Sequence, residues 1–493
     1  MALAITQEIK LLARHSAVYS LGTFMQRIVA LLLLPVYTRY LTPHDYGVKE
    51  LVGLSTDVIS ILLATAISGA FFRFYFNYDN ENDRNEVFST ALLSIAVVGL
   101  VAVGLLCLFT SQMAGLILDD AGLYYFFYIS FASLWFRSLN NIGFSFLKAN
   151  KRSIMFISLS LCRMVMAIGL NIYFVCVMQI GVLGILISTL LTSVVMALGF
   201  TLPLLLRVKL RFSRSKVVEM LRYGLPLIPS QFGAFIVHLS DRFFIKEFVS
   251  IADAGLYSLG YRFGTLPGTF ISDPFNQIFQ PRRLEVYKQE GSEYVFGRIF
   301  TYFLLLIFFA GLLIAVLTRD VLMVMADAEF WSAYRIVPLI VLANTVFTFH
   351  YHLNIGIMIA KKTKYLAYIN FSNGALVLVL NFLLIPRFGI WGAAWATLFA
   401  FIYKATLTYY FSSRFFKVHF ELLRICKLVA IAGAVYAVSQ LIALESAWLS
   451  FLVKALVVVT LYPLGLLGGC FFESGEKEKI RMIIKNRSLS GVL

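Results

Sequence analysis

Long apolar stretches separated by short polar connections run along almost the whole chain. About fourteen of them approach the 20 or so residues that an α-helix needs to cross the hydrocarbon core of a bilayer. Backbone amides find no water inside a bilayer, so each stretch must satisfy its hydrogen bonds as a helix. We number them spans one to fourteen, over residues 16–38, 50–76, 87–111, 118–146, 153–177, 181–206, 223–248, 254–281, 297–317, 332–359, 364–385, 388–412, 422–443 and 447–471. The pattern predicts an all-α polytopic membrane protein.

A second pattern recurs after 208 residues (389 − 181 = 208). The letters G-x-x-G-x-x-x-x-T-L begin at Gly181 and again at Gly389. The same offset places the segment 41–47 on the segment 249–255, with an aspartate and a glycine in matching positions. Many transporters consist of two homologous halves packed around a central cavity. The repeat therefore predicts one lobe of spans one to six, a second lobe of spans seven to twelve, and two additional C-terminal helices.

A third match and the longest polar connection set the expected domain boundaries. At an offset of 211, residues 149–151 align with residues 360–362. The longest internal polar connection, 207–222, separates spans six and seven. The predicted units are the N-lobe 1–206, the cytoplasmic linker 207–222, the C-lobe 223–413, the appended spans 414–472 and the basic cytoplasmic tail 473–493.

Composition and charge argue against a soluble protein and against a nucleic-acid partner. Hydrophobic residues make up 60% of the chain and charged residues only 14%, whereas a soluble domain carries roughly 25% charged residues. The formal net charge is +16, but its distribution follows a membrane topology. If the N-terminus is cytoplasmic, the connections on that side carry about 29 of the 42 lysines and arginines, as the positive-inside rule requires. Both termini are therefore expected in the cytoplasm.

No sequence pattern indicates catalysis or metal binding. The five cysteines lie in apolar spans or at their edges and include no C-x-x-C pair, so neither a disulfide framework nor a metal site is indicated. No H-E-x-x-H motif, phosphate-binding glycine loop or nucleophile elbow occurs. We predict that the protein is not an enzyme and needs no cofactor or metal.

Several basic residues lie inside the predicted spans, where charge is expensive. An arginine at the bilayer centre costs at least about 2.5–3.5 kcal/mol, so each needs a partner or a wet cavity. Arg27, Arg163 and Arg262 lie about 12–15 Å from the nearer ends of their spans. The residues predicted to line a lumen and bind substrate are Arg27, Arg262, Arg163 and Arg137. Lys404 and Lys454 rank below these four.

Acidic residues inside the spans are fewer, namely Asp57, Asp241 and Asp273. They can neutralise an arginine or hold a coupling ion, and neutralisation is the favoured interpretation. Asp241 and Arg242 are neighbours in sequence and point to different sides of a helix, so they need not pair with each other. The excess of basic residues favours a cationic lumen for an anionic cargo, with structural ion pairing as the alternative.

Several segments resemble a known family. Residues 41–47, L-T-P-H-D-Y-G, resemble the L-(T/G)-P-x-D-Y-G signature of bacterial polysaccharide transporters, the Wzx-type lipid-linked oligosaccharide flippases. Residues 223–229, 241–244 and 254–257 resemble the start and continuation of that family's second lobe. The family is part of the multidrug/oligosaccharidyl-lipid/polysaccharide exporter superfamily. The resemblance implies two six-helix lobes around a V-shaped cavity, alternating access and two extra C-terminal helices.

The resemblance also indicates where a cargo would bind. In the related lipid II flippases, arginines in the first and eighth helices line the cavity. Residues 26–28 (Q-R-I) and 261–267 (Y-R-F-G-T-L-P) are similar to those two places, which implies that Arg27 and Arg262 face the lumen. A further first-helix arginine expected there is missing, since residues 32–34 are leucines. The cargo contact is therefore expected to differ from that of the peptidoglycan flippases.

The resemblance and the charges together predict a flippase of the bacterial cytoplasmic membrane. Its cargo would be an undecaprenyl-diphosphate-linked oligosaccharide, a repeat unit of O-antigen, capsule or exopolysaccharide, carried from the inner to the outer leaflet. Membrane lipids are expected partners, and a polysaccharide polymerase and chain-length machinery are candidate partners. The alternatives are an ion-coupled small-molecule exporter of the same superfamily, a membrane polymerase or ligase of lipid-linked glycans, and a non-transporting member of an assembly complex.

Overall fold

The computed structural model describes residues 33–442, 444–469, 471–473 and 475–476, and the regular elements within them are all helices. The α-helices that begin before residue 250 are α1 (Leu34–Tyr40), α2 (Pro43–Phe76), α3 (Glu81–Cys107), α4 (Thr110–Leu118), α5 (Tyr124–Ala149), α6 (Ser153–Asn171), α7 (Gly181–Met196), α8 (Leu202–Val208), α9 (Arg214–Gly224), α10 (Ile228–Leu239) and α11 (Asp241–Phe248). The later ones are α12 (Ile251–Gly264), α13 (Asp273–Tyr287), α14 (Ser292–Met325), α15 (Val337–Leu353), α16 (Ile355–Ile359), α17 (Lys364–Ser413), α18 (Leu422–Gln440) and α19 (Ala447–Gly468).

Eight helical stretches of the described chain are long and apolar enough to cross a membrane, and the bent helix α2 makes a ninth if it counts as one crossing. The eight are Glu81–Cys107, Ser153–Val177, Gly181–Val208, Ser292–Met325, Ala328–Ile359, Lys364–Ser413, Leu422–Gln440 and Ala447–Gly468. Helix α17 contains predicted spans eleven and twelve, joined through a break at Gly389. Spans four, seven and eight correspond to α5, α10–α11 and α12–α13, which are more polar or broken. The all-α polytopic fold is confirmed, and most of span one lies outside the described residues.

The backbone repeats at the glycines that begin the two G-x-x-G copies. Gly181 has φ +57° and Gly389 has φ +56°, a left-handed conformation that glycine adopts without steric cost. A Cβ on Gly392 would lie 2.3 Å from the carbonyl oxygen of Leu384, and one on Gly184 would lie 2.9 Å from Cβ of Phe174. In both copies, the first glycine therefore forms a sharp turn. The second glycine has no side chain, so the chain before the turn can approach it closely.

The aspartate of the L-T-P-H-D-Y-G segment caps a helix, and so does its counterpart 208 residues later. The Asp45 amide donates to the Thr42 hydroxyl at 3.1 Å, and the Thr42 amide donates to the Asp45 carboxylate at 3.1 Å. At the start of α12, the Asp253 amide donates to the Ser250 hydroxyl at 2.9 Å, and that hydroxyl donates to the Asp253 carboxylate at 2.6 Å. Such side-chain caps satisfy amides that a helix leaves free at its N-terminus.

These two helix starts also touch each other. A Cβ on Gly47 would lie 2.0 Å from the carbonyl oxygen of Ile251, and a Cβ on Gly255 would lie 2.4 Å from the carbonyl oxygen of Pro43. Real Cβ atoms do not approach that closely, so the two backbones meet only because both positions are glycine. The glycine of the segment is therefore a packing residue in both copies of the repeat.

The third match of the repeat has a register of 210 in the structure, and the predicted offset of 211 was wrong by one residue. Lys151 and Lys361 both have φ +55°. Their amides donate to the carbonyls three residues before them, Lys148 and Met358, each at 3.1 Å. Because the two connections share this turn geometry, equivalent residues are 210 apart. The offset of 211 pairs Lys151 with Lys362, which is one residue after its structural equivalent, Lys361.

The described residues form two compact units that divide between Leu256 and Tyr257, inside α12. In the first unit, α9 and α10 pack on α2, and a Cβ on Gly224 would lie 1.8 Å from the carbonyl oxygen of Ala66. In the second unit, the appended helices α18 and α19 pack on α14 through a core that includes Leu428, Val458 and Tyr462. The lobes that we expect from the repeat, 1–206 and 223–413, are defined by sequence equivalence rather than by compactness, and they stay a prediction.

Candidate functional site

Two of the predicted lumen arginines lie together in the first unit. The Arg137 guanidinium of α5 is 3.2 Å from the Asp57 carboxylate of α2, and the two side chains are 39% and 54% exposed. Arg163 of α6 lies with its guanidinium 5.1 Å from the centre of the Phe144 ring, and its charge interacts with that of Arg137. The cluster of Arg137, Arg163 and Asp57 therefore holds two positive charges and one negative charge within apolar helices.

The other two predicted arginines are less fully described. Arg27 lies outside the described residues. Arg262 is half-buried in the last turn of α12, and its carbonyl accepts a hydrogen bond of 2.9 Å from the Thr265 hydroxyl. A π-helical segment, Gly268–Ser272, separates α12 from α13. The partial negative charge at a helix C-terminus favours a cation such as Arg262.

Asp273 begins α13 and is half-buried directly after the π-helical segment. The Asp273 amide donates to the Gly268 carbonyl, so helical hydrogen bonding continues through this segment into α13. Arg262 and Asp273 therefore lie on either side of the π-helical segment.

The expectation that Asp241 and Arg242 need not pair was wrong. The Arg242 guanidinium is 2.5 Å from the Asp241 carboxylate and 2.7 Å from the carbonyl of His238, and both side chains are buried. Helix α10 ends at Leu239 and α11 begins at Asp241, so the aspartate occupies a first helical turn and its carboxylate accepts from the next amide, that of Arg242, at 3.0 Å. The long arginine side chain can then fold back to the same oxygen.

Lys404 ranks lower than the four arginines as a lumen candidate in the sequence. It is half-buried in α17, nine residues before the helix ends (413 − 404 = 9), or about 14 Å along the axis. Its ammonium lies 4.7 Å from the centre of the Phe347 ring, and within the described part of the chain it forms no ion pair with a carboxylate. Among the described residues, this cation of a predicted span is thus stabilised by an aromatic ring and by no carboxylate.

Lys454 has a different environment. Its ammonium is 3.0 Å and 3.2 Å from the two carboxylate oxygens of Asp320, and both residues are almost fully buried, at 3% and 2% exposed. The pair joins α19 to α14. Sequence reasoning missed Asp320 because it ended span nine at residue 317, whereas α14 continues to Met325. Lys454 is therefore neutralised inside the protein.

The chain matches a known protein family over more than half of its length. Residues 36–290, which are 255 of the 493 residues (290 − 36 + 1 = 255), match the polysaccharide biosynthesis protein family. The chain belongs to this family. The matched part of this polysaccharide biosynthesis protein includes both copies of the capped, glycine-containing helix start, the cluster of Arg137, Arg163 and Asp57, and Arg262. A Haemophilus influenzae relative, Lsg locus protein 1, is 25% identical over 286 residues, which are 56% of this chain and 67% of that protein.

The fold of this polysaccharide biosynthesis protein is also found in solved membrane transporters. A lipid II flippase, MurJ, in its inward closed conformation matches with a TM-score of 0.71 at 16% identity, over 91% of this chain and 97% of that chain. An inward-facing multidrug resistance MATE family transporter matches with a TM-score of 0.62 at 14% identity, over 79% of this chain and 94% of that chain. The protein is thus a multi-pass membrane protein with the fold of this transporter superfamily.

Proposed function

We propose that the protein is a flippase that moves an undecaprenyl-diphosphate-linked oligosaccharide from the inner to the outer leaflet of the bacterial cytoplasmic membrane. The observation that carries the proposal is the excess of positive charge inside the apolar helices. Arg137 pairs with Asp57, whereas Arg163 and Lys404 pair with no carboxylate among the described residues. Charges within membrane helices are retained where they bind a cargo or line a water-filled path. A diphosphate supplies the missing negative charge.

The direction of transport agrees with the charge of the cargo. One elementary charge that crosses 100 mV changes the free energy by about 2.3 kcal/mol. An anion that leaves an inside-negative cell moves downhill, and a diphosphate of about two charges gains up to about twice that amount. Cationic side chains that move with the cargo would reduce this gain and would help the empty carrier return. Alternating access would expose the cationic lumen to each leaflet in turn.

An apolar groove in the second unit suits the lipid part of the cargo. It has a volume of about 260 Å³ between α14, α15 and α18. Its walls include Phe308, Leu312, Val341, Leu342 and Tyr436. A polyprenyl chain can exchange the equally apolar lipid tails for this groove at little cost in free energy, while the sugar and diphosphate occupy the polar lumen. The lipid-linked product, once in the outer leaflet, is the substrate that a polysaccharide polymerase and its chain-length machinery would take.

The state of the carboxylates counts against an exporter of organic cations. Such a protein needs acidic side chains that are available to its substrate or to a coupling ion. Asp57, Asp241 and Asp320 each form an ion pair with a basic residue at 3.2, 2.5 and 3.0 Å. These three negative charges are already compensated within the protein, whereas part of the positive charge is not.

Flipping of defined lipid-diphosphate oligosaccharides in proteoliposomes tests this function. We expect Arg163→Gln and Lys404→Gln each to slow flipping about tenfold, because each removes a charge that contacts the anionic cargo. Both should also strengthen the acceleration of the cargo step by an inside-negative potential, because less positive charge then moves with the anionic cargo. The matched control is Arg222→Gln, an exposed residue of α9, which should flip at the wild-type rate. Arg27→Ala and Arg262→Ala test the two positions indicated by resemblance.

The contrary results are distinct from one another. Equal flipping by Arg163→Gln, Lys404→Gln and Arg222→Gln, with all variants monodisperse, would make the two cations structural. Absence of any lipid flipping by the wild type, combined with uptake of small organic cations, would instead assign the protein to the exporters.

A further inference from the structure

Arg283 is a half-buried cation outside the lumen residues, and no carboxylate of the described chain compensates its charge. Arg283, in α13, donates from Nη1 to the Asn354 side-chain oxygen at 3.1 Å, and its guanidinium lies 5.3 Å from the centre of the Phe279 ring. Its Nε and Nη2 atoms are buried and have no hydrogen-bond acceptor among the described residues. No carboxylate of the described chain pairs with it. Asn354 therefore holds the Nη1 corner of the guanidinium in place, while the N–H groups on Nε and Nη2 have no acceptor among the described residues.

The described surroundings of Arg283 supply no acceptor for its Nε and Nη2 atoms. His352 is 2% exposed, and its Nε2 atom also lacks a partner within the described chain. Phenylalanines surround the His352 ring, and Phe303 is the nearest of them at 4.4 Å between ring centres. Burial lowers the pKa of Arg283 to about 10, so the guanidinium is still charged at neutral pH. Buried polar groups in native proteins are almost always paired, and an exception requires an explanation such as a missing ion or ligand.

The unsatisfied atoms have the geometry of an anion receptor. The N–H groups on Nε and Nη2 lie on one edge of the guanidinium and point the same way. That edge is the fork with which arginine binds two oxygens of a phosphate or carboxylate. More positive charge lies on the exposed Lys361 and Lys362, which follow α16 and come shortly after Asn354 in sequence. The positive-inside pattern assigns this end of span eight to the cytoplasm, where membrane phosphates are abundant.

We propose that Arg283 anchors a phosphoryl-binding site at the cytoplasmic end of span eight, with Asn354 as the positioning residue that orients the guanidinium. The phosphoryl group accepts hydrogen bonds from Nε and Nη2 of Arg283, and the exposed Lys361 and Lys362 attract it. The site is separate from the lumen cations, because Arg283 follows Arg262 by 21 positions (283 − 262 = 21) and lies beyond the π-helical segment. It does not require that the protein be a flippase. The phosphoryl group can come from a membrane phospholipid, from a lipid-diphosphate cargo or from a free diphosphate.

Thermal unfolding of the full-length protein with inorganic pyrophosphate tests the site. We expect pyrophosphate to raise the unfolding temperature of the wild type and of Arg282→Gln, the neighbouring exposed residue that serves as a charge-matched control. In Arg283→Gln the apparent affinity for pyrophosphate should fall about tenfold or more. Without pyrophosphate, Arg283→Gln should be at least as stable as the wild type, because the substitution removes an uncompensated buried charge. A merely structural arginine would give the opposite change in stability.

Two further measurements complete the test. Arg283→Lys keeps the charge but lacks the two-pronged edge, so it should bind pyrophosphate more weakly than the wild type even if Arg283→Gln fails to fold. Nanodiscs identify the source of the phosphoryl group. They are made of phosphatidylcholine alone, with added phosphatidylglycerol, or with added undecaprenyl diphosphate. The source is the added lipid that stabilises the wild type but not the Arg283 variants. The proposal is overturned if anions stabilise the Arg283 variants as much as Arg282→Gln, or if neither pyrophosphate nor either lipid stabilises the wild type beyond chloride at equal ionic strength.

Discussion

Replacing Lys454 by methionine will lower the free energy of unfolding by about 3–5 kcal/mol, because it leaves a buried charge without its partner. The carboxylate left behind belongs to Asp320, which is 2% exposed and now lies 3.0 Å from the lysine ammonium. The substitution itself conserves volume, so the lost ion pair dominates the change. Chemical unfolding in mixed micelles, monitored by tryptophan fluorescence, measures the difference. Because the pair joins α19 to α14, the appended helices should separate first.

Two controls distinguish the ion pair from a general effect of the substitution. Lys417→Met, at an exposed position, should leave the free energy of unfolding within about 0.5 kcal/mol of the wild type. The double variant Lys454→Met with Asp320→Leu should recover most of the loss, because well-packed apolar residues can replace a buried ion pair at little or no cost. If Lys454→Met unfolds at the same denaturant concentration as Lys417→Met, the pair does not hold the appended helices.

Gly47→Ala will destabilise the protein by about 2 kcal/mol, although alanine is the better helix former. The added methyl group would lie 2.0 Å from the carbonyl oxygen of Ile251, and backbone cannot yield as a flexible side chain can. Gly53 lies on the same helix, and a Cβ there would meet nothing within 4 Å. Gly53→Ala should therefore be neutral or stabilising by up to about 1 kcal/mol. Thermal unfolding of the two variants side by side measures the contrast.

The counterpart in the second copy of the repeat provides an independent check. A Cβ on Gly255 would lie 2.4 Å from the carbonyl oxygen of Pro43, so Gly255→Ala should be destabilising as well. The double variant should lose less than the sum of the single losses, because both substitutions separate the same two helix starts. Equal stability of Gly47→Ala and Gly53→Ala would show that the two helix starts are not in this close contact in the membrane.

Much of the fold could be predicted from the sequence, because the requirement for satisfied backbone amides in a bilayer makes long apolar stretches helical. The predicted helix boundaries are wrong where polar residues lie inside helices. The helix after residue 317 continues through the charged Asp320 to Met325, because Lys454 compensates that charge from a helix more than a hundred residues later. A pattern read along one stretch contains no information about such a distant partner.

The candidate site was less predictable, for a physical reason. The sequence shows which spans contain charges, but the contacts between spans decide which charges stay uncompensated. Lys454 and Lys404 rank equally as lumen candidates in the sequence, yet one pairs with a carboxylate and the other lies against Phe347. Arg283 follows predicted span eight, which ends at residue 281, yet the structure places its guanidinium edge among buried atoms. Asp241 and Arg242 pair because the long arginine side chain folds back to the carboxylate of its neighbour, which a pattern of side-chain directions does not predict.

The contact between the two capped helix starts has a consequence for the evolution of the chain. After a duplication, the two copies of a gene segment are usually free to accumulate different substitutions. Here Gly47 and Gly255 share one small space with the backbones of Pro43 and Ile251, so an enlargement in one copy can persist only if the other copy shifts. In related sequences, changes at these two positions should therefore occur together, while the remainder of the two halves diverges independently.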